Sequence, residues 1–185
     1  LAGADAVSPP PAPGTFEACR LEGDVLLRFD RPGAGPLDLD ARGLDVRSVS
    51  DGAGAPLQFE LGPEDEVLGS RLRVEIPRAT DSIRIAYATS SDASALQWLT
   101  PAQTLGKRHP YLFSQCQAIH ARSMVPCQDS PRARVTYGAR LTVPEGLTAV
   151  MSADSRGSEP GPEPGTRTFR FEMPPPKPPN QHPQA

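Results

Sequence analysis

The densest run of chemically capable side chains lies between residues 95 and 131. It holds the only tryptophan, Trp98, two of the three cysteines, Cys116 and Cys127, and two of the three histidines, His109 and His120. Within it, residues 111–120 read as a strand, on which Gln115 and Gln117 project their amides from one face. Adjacent amides offer N–H donors and carbonyl acceptors together, which suits a peptide backbone or an α-amino group. Their alternative use is to satisfy the carbonyls of neighbouring loops. His109 and His120 have neither a metal-ligand spacing nor a carboxylate close by. The carboxylates of Glu64, Asp65 and Glu66 read as a solvated loop. No Gly-rich phosphate loop and no nucleophile elbow is present. The three cysteines, Cys19, Cys116 and Cys127, form no CxxC and read as reduced structural thiols, with a Cys116–Cys127 bridge left open.

Composition sets what must hold these residues. The chain has 185 residues, enough for one domain with loose ends. Its 23 prolines make a long-helix bundle untenable, since each costs about 3 kcal/mol in a helix interior. At 37% hydrophobic residues the middle of the chain can still bury a core. Net charge is 19 − 22 = −3, without a basic stripe, so a phosphate-neutralising nucleic-acid surface is excluded. The apolar runs are too short to span a membrane, and no basic amphipathic helix offers itself to a membrane surface.

Alternation with period two recurs along the middle of the chain. Val25, Leu27 and Phe29 share one face, followed by a loop at residues 31–36. Leu57, Phe59 and Leu61 repeat the pattern, as do Leu72, Val74 and Ile76 before Pro77, then Ile83, Ile85 and Tyr87. Val135 to Val143 alternates again, and residues 147–152 and 166–172 complete about nine short strands. Residues 62–69 and 154–165 read as flexible loops. The boundaries drawn are a proline-rich lead-in over residues 1–18, a β domain over 19–173, and a disordered proline-rich tail over 174–185.

The segment from Ser94 to Pro131, SALQWLTPAQTLGKRHPYLFSQCQAIHARSMVPCQDSP, followed by VTYGARLTVPEGLTAVMSA, resembles the N-terminal domain of metallopeptidase family M1, of the leukotriene-A4 hydrolase and aminopeptidase type. LDLDARGLDV, at residues 37–46, resembles the strand–turn–strand that precedes it there. The likeness runs over residues 20–171. It implies an all-β fold, a saddle-like mixed or antiparallel β-sheet sandwich that covers a catalytic zinc domain. It also implies that Gln115, Cys116 and Gln117 contact the bound peptide, with Gln117 favoured as the direct hydrogen-bond partner. Asp129, in the PCxDxP stretch, is expected to accept backbone N–H bonds in an Asx turn.

The same resemblance defines what this chain lacks. The family's zinc is bound through an HExxH helix, and none of His109, His120 and His182 is followed by Glu. No cofactor is therefore expected in this chain; the resemblance implies that zinc belongs to a catalytic domain outside it and that peptide substrate is reached through that domain. The expected setting is cytoplasmic, and the 185 residues alone are expected to be inactive. The start at Leu1, the apparent loss of a first strand and the polar end after FRFEMPPPKPP read as a truncated product. The alternative is a stand-alone β-sandwich interaction module that uses Pro174–Pro179 as a polyproline ligand.

Overall fold

A computed structural model describes residues 3–7 and 16–177 of the chain. Its strands are β1 (Gly3–Val7), β2 (Glu22–Ala41), β3 (Asp45–Asp51), β4 (Phe59–Leu61), β5 (Ser70–Ala88), β6 (Leu96–Leu99), β7 (Tyr111–Ser114), β8 (Val135–Pro144), β9 (Asp154–Pro160) and β10 (Thr166–Lys177). Among the described residues there is no α-helix, only two single-turn 3-10 helices at Pro101–Gln103 and Ala121–Ser123. The fold is all-β, as the alternation requires. Eight strands form one sheet in the order β3-β5-β2-β1-β8-β10-β9 with β4 added to β5, and β6 and β7 form a separate hairpin. The large sheet is mixed, because β1 pairs parallel with β8 while its other pairs are antiparallel.

The spine is the pairing of β2 with β5. Residues 31–36, expected as a loop, instead continue β2, and the two alternating runs before and after Pro77 belong to one strand, β5. The register breaks between Arg28 and Gly35, where Gly35 has φ 104°, a conformation that favours glycine. Across the break β5 changes the parity of its inward residues, from Leu72, Val74 and Ile76 to Ile83, Ile85 and Tyr87. Both sets pack into a single cluster with Val25, Leu27, Leu39 and Val49. One bent sheet therefore supplies both walls of its own core. Each fully buried aliphatic side chain there contributes about 1.5–3 kcal/mol.

Other boundaries also differ from the sequence reading. Residues 3–7, assigned to a flexible lead-in, form β1, and residues 174–177, assigned to the tail, continue β10. The flexible loop expected over residues 154–165 contains β9, an edge strand exposed at every position. Its Asp154, Arg156, Glu159 and Pro160 are residue types that discourage further strand pairing. The strand expected at residues 147–152 is absent. Residues 62–69 are ordered locally by Asp65, whose Oδ1 accepts the N–H groups of Val67 and Leu68 at 2.8 and 2.7 Å. These bonds hold the Asp65 carboxyl below its ordinary pKa. Of the lead-in and the tail, residues 1–2, 8–15 and 178–185 lie outside the described residues, as do the last two residues of the 174–179 polyproline stretch.

The account of the core predicts an uneven mutational response. Ile85→Ala, at a fully buried position, is expected to lower unfolding free energy by about 2–5 kcal/mol. Leu61→Ala, on exposed β4, is expected to cost less than about 1 kcal/mol. Urea unfolding of the two variants, followed by circular dichroism, measures the contrast.

Candidate functional site

The β6–β7 hairpin sets where the glutamine segment begins. Leu96 pairs with Ser114 and Leu99 with Tyr111, so the open end of the hairpin, opposite its 100–110 connection, leads on to residues 95 and 115. There the Gln115 N–H donates to the Ala95 carbonyl at 2.9 Å. Beyond that bond the chain leaves the strand, contrary to the sequence expectation that the strand runs to residue 120. The His120 N–H turns back to the Cys116 carbonyl at 3.0 Å, and the Gln117 N–H donates to Gln115 Oε1 at 3.0 Å. Residues 115–120 thus form a bend, and the two glutamines stay together because one caps the backbone of the other. Both glutamines are exposed, whereas Cys116 between them is 1% exposed and turns into the protein.

Cys116 packs in a small second core with Ala95, Ala121 and Cys127, flanked by Met124 and Val125. Val125 also touches the main core, so the bend rests on the same apolar body as the sheet. Burial pushes the Cys116 thiol up to about 12, helped by the negative charge of Asp129. Cys127 is raised for the same two reasons, with Asp40 adding to them. Cys19, Cys116 and Cys127 are all free thiols.

Under the bend lies a buried ion pair that sequence reasoning missed. Arg122 and Asp129 have side chains 6% and 0% exposed, with Arg122 Nε 3.2 Å from Asp129 Oδ2. Oδ2 also accepts the Arg122 backbone N–H at 3.1 Å, and the guanidinium reaches the carbonyls of Leu68 at 2.7 Å and Asp129 at 3.2 Å. Asp129 therefore serves as counter-ion to Arg122 and not as the Asx-turn residue expected; the local turn is made by Ser130, whose Oγ accepts the Arg132 N–H. The end of β2 is sewn to the same place. Asp40 and Cys127 exchange backbone hydrogen bonds at 2.7 and 3.2 Å, the Arg42 N–H donates to the Arg122 carbonyl, and the Asp129 N–H donates to Asp40 Oδ2.

Above the ion pair, His120 caps the 3-10 helix at Ala121–Ser123, where the sequence reading had placed it on a strand. Its Nδ1 lies 2.9 Å from Ser94 Oγ. His109 is distant in the chain and exposed. Among the described residues no group of three or more His, Cys, Asp or Glu side chains is placed to hold a metal ion. The described residues do not fit a zinc centre.

A bend of exposed amides on a rigid β body presents hydrogen-bond donors and acceptors together at the surface. Comparison with known proteins gives that arrangement a family. The sequence model described as the peptidase M1 N-terminal domain matches residues 35–179. The chain belongs to this family. It is 39% identical over 176 residues to leucine aminopeptidase 2 of Phaeosphaeria nodorum, covering 86% of this chain and 27% of that protein. Leucine aminopeptidase 2 of Aspergillus fumigatus is 39% identical over 163 residues, covering 83% and 26%. Among solved structures, yeast LTA4 hydrolase in complex with bestatin superimposes with a TM-score of 0.84 at 30% identity, over 100% of this chain and 28% of that one. An M1 zinc metallopeptidase of Deinococcus radiodurans shares the fold, with a TM-score of 0.74 at 22% identity, over 100% of this chain and 41% of that one. The chain spans about a quarter of the length of the curated relatives it matches. The N-terminal M1 fold expected from the residue 94–153 segment is thus established for this chain.

Two consequences of the site's packing are measurable. Arg122→Ala leaves the Asp129 carboxylate buried and unpaired, and is expected to cost about 3–5 kcal/mol in unfolding free energy. In the folded chain at pH 8, iodoacetamide is expected to modify partly exposed Cys19 first and to leave Cys116 and Cys127 unmodified until the protein unfolds, as read by peptide mass spectrometry.

Proposed function

We propose that this M1 N-terminal domain walls the peptide cleft of a zinc aminopeptidase and offers Gln115 and Gln117 to the bound peptide. The observation that supports the reading is the bend itself: two exposed glutamines, coupled by the bond from the Gln117 N–H to Gln115 Oε1, on a segment held from below by a buried ion pair. With Gln115 Oε1 engaged by backbone, Gln117 keeps the freer amide, able both to donate to a peptide carbonyl and to accept from an N–H. Cys116 belongs to the same segment, but its side chain is buried, so its part is to anchor the bend from inside.

In this reading hydrolysis belongs to a zinc-bearing portion outside the chain, and removal of N-terminal residues from peptides is the activity the domain serves. Epoxide hydrolysis is a second reaction that the same cleft could serve. The domain raises local order around the peptide and excludes water on one side, which acts on binding and orientation. A cytosolic setting goes with the three free thiols. Among the described residues no helix is long and apolar enough to cross a membrane. The net charge of −3 offers nothing to a nucleic-acid backbone.

The test replaces the matching N-terminal quarter of the Aspergillus fumigatus leucine aminopeptidase 2 with this chain. Gln117→Ala in that chimera is expected to raise KM for a peptide substrate roughly 5- to 10-fold, the value of one hydrogen bond, with a smaller change in kcat. An unchanged KM overturns the reading, as does zinc-dependent hydrolysis by the 185 residues alone.

A further inference from the structure

Three side chains above the buried ion pair form a closed set of hydrogen bonds whose protons can be counted. The Ser123 Oγ lies 2.8 Å from the His120 carbonyl, which can only accept, so the single Ser123 proton is committed there. The same Oγ accepts the Ala95 N–H at 2.9 Å. Ser94 Oγ lies 3.3 Å from Ser123 Oγ, and with the Ser123 proton already spent, Ser94 must be the donor in that contact. Ser94 then has no proton left for His120. The 2.9 Å contact between Ser94 Oγ and His120 Nδ1 is a hydrogen bond only if the ring donates, so Nδ1 carries the hydrogen. The order of donation runs from His120 to Ser94, from Ser94 to Ser123, and from Ser123 back to the His120 carbonyl.

This ring is attached to the glutamine bend at two points. The backbone of Ala95 is held at both of its polar groups, its N–H by Ser123 and its carbonyl by the Gln115 N–H. The His120 backbone closes the bend through its N–H to the Cys116 carbonyl, while its ring is fixed by Ser94. Moving the bend relative to the hairpin therefore requires opening the ring.

We propose that Ser94, His120 and Ser123 are positioning residues for peptide binding: their ring, with the imidazole in the Nδ1–H form, fixes Gln115 and Gln117 in the geometry that meets the peptide. Peptide contact itself rests on the reading of the preceding subsection, whereas the ring does not. A neutral histidine otherwise exchanges its proton between the two nitrogens, so a single tautomer is the signature of the ring. Ser94→Thr keeps the hydroxyl and keeps the ring, and Ser94→Ala removes it. Ser123→Ala frees the Ser94 hydroxyl to donate to Nδ1, which transfers the imidazole proton to Nε2.

The experiment is long-range proton–nitrogen correlation NMR on the 185-residue chain, with the ring neutral, together with amide hydrogen exchange. The wild type and Ser94→Thr are expected to show Nδ1–H, and Ser123→Ala to show Nε2–H. Ser94→Ala is expected to speed exchange of the Gln115 and His120 amides about tenfold while those of β2 and β5 are unchanged. The wild-type tautomer needs no variant to fold, and an Nε2–H ring there overturns the proton order and the proposal with it. Equal acceleration in all strands by Ser94→Ala overturns the positioning role in favour of a general loss of stability. In the chimera, Ser94→Ala is expected to raise KM with kcat little changed. If Gln117→Ala raises KM and Ser94→Ala does not, the positioning role fails and the cleft reading stands. If neither raises KM, the cleft reading fails, and the positioning role with it, whatever tautomer the spectrum shows.

Discussion

Everything else in this domain is built on the antiparallel pairing of β2 with β5. The two strands run 20 and 19 residues, long enough to turn a corner and pack one half against the other. The break between Arg28 and Gly35 is what permits the corner, because a continuous register would carry the inward faces of the two halves in a straight line. With the corner in place, Val25 and Ile85 from one half meet Leu39 and Val74 from the other in a single cluster. β3 and β4 then pair with β5, and β1 joins β2 to β8.

The glutamine bend inherits its rigidity from that pairing. The last residues of β2 bond to the segment that carries Cys127 and Asp129, and Gly69, immediately before β5, approaches the same corner. A Cβ on Gly69 would lie 2.5 Å from the Ala41 carbonyl, and its φ of 72° favours glycine. Arg122 reaches from this corner to the Leu68 carbonyl in the turn before β5 and to Asp40 at the end of β2, so one buried guanidinium links the segment after the bend to both places. Burying a charge is costly unless its partner and its remaining donors are satisfied, and here most are. Asp129 Oδ1 is the exception, a buried acceptor with no partner. The arrangement is that of a surface segment held by a scaffold whose own stability lies elsewhere.

The core was legible in the sequence and the corners were not. Val25 and Leu27, Leu72 and Val74, Ile83 and Ile85 alternate plainly, and all are buried. Their assignment to separate strands failed because a bulge leaves the same local signal as a loop: Gly33, Gly35 and Pro36 are turn residues whether or not the ladder resumes. Residues 154–160 failed in the opposite way, because an edge strand exposed on both faces carries no alternation to read. In the site, the resemblance drew attention to Gln115 and Gln117, and the structure leaves both on the surface. The strand assigned to residues 111–120 stopped at Ser114, since the bend is made by a side-chain-to-backbone bond that periodicity cannot register. Arg122, Ser94 and Ser123 gave no signal, because their roles depend on partners 7 to 54 residues away.

The central claim is spatial: the amides of Gln115 and Gln117 face a peptide. The most direct measurement is a crystal structure of this chain joined to the catalytic portion of a leucine aminopeptidase 2, with a peptide analogue bound. The account predicts an amide nitrogen or oxygen of Gln117 within about 3.2 Å of a backbone polar atom of the analogue, on a bend superimposable with the one described. An analogue bound with both glutamines turned to solvent, beyond hydrogen-bond reach, contradicts it.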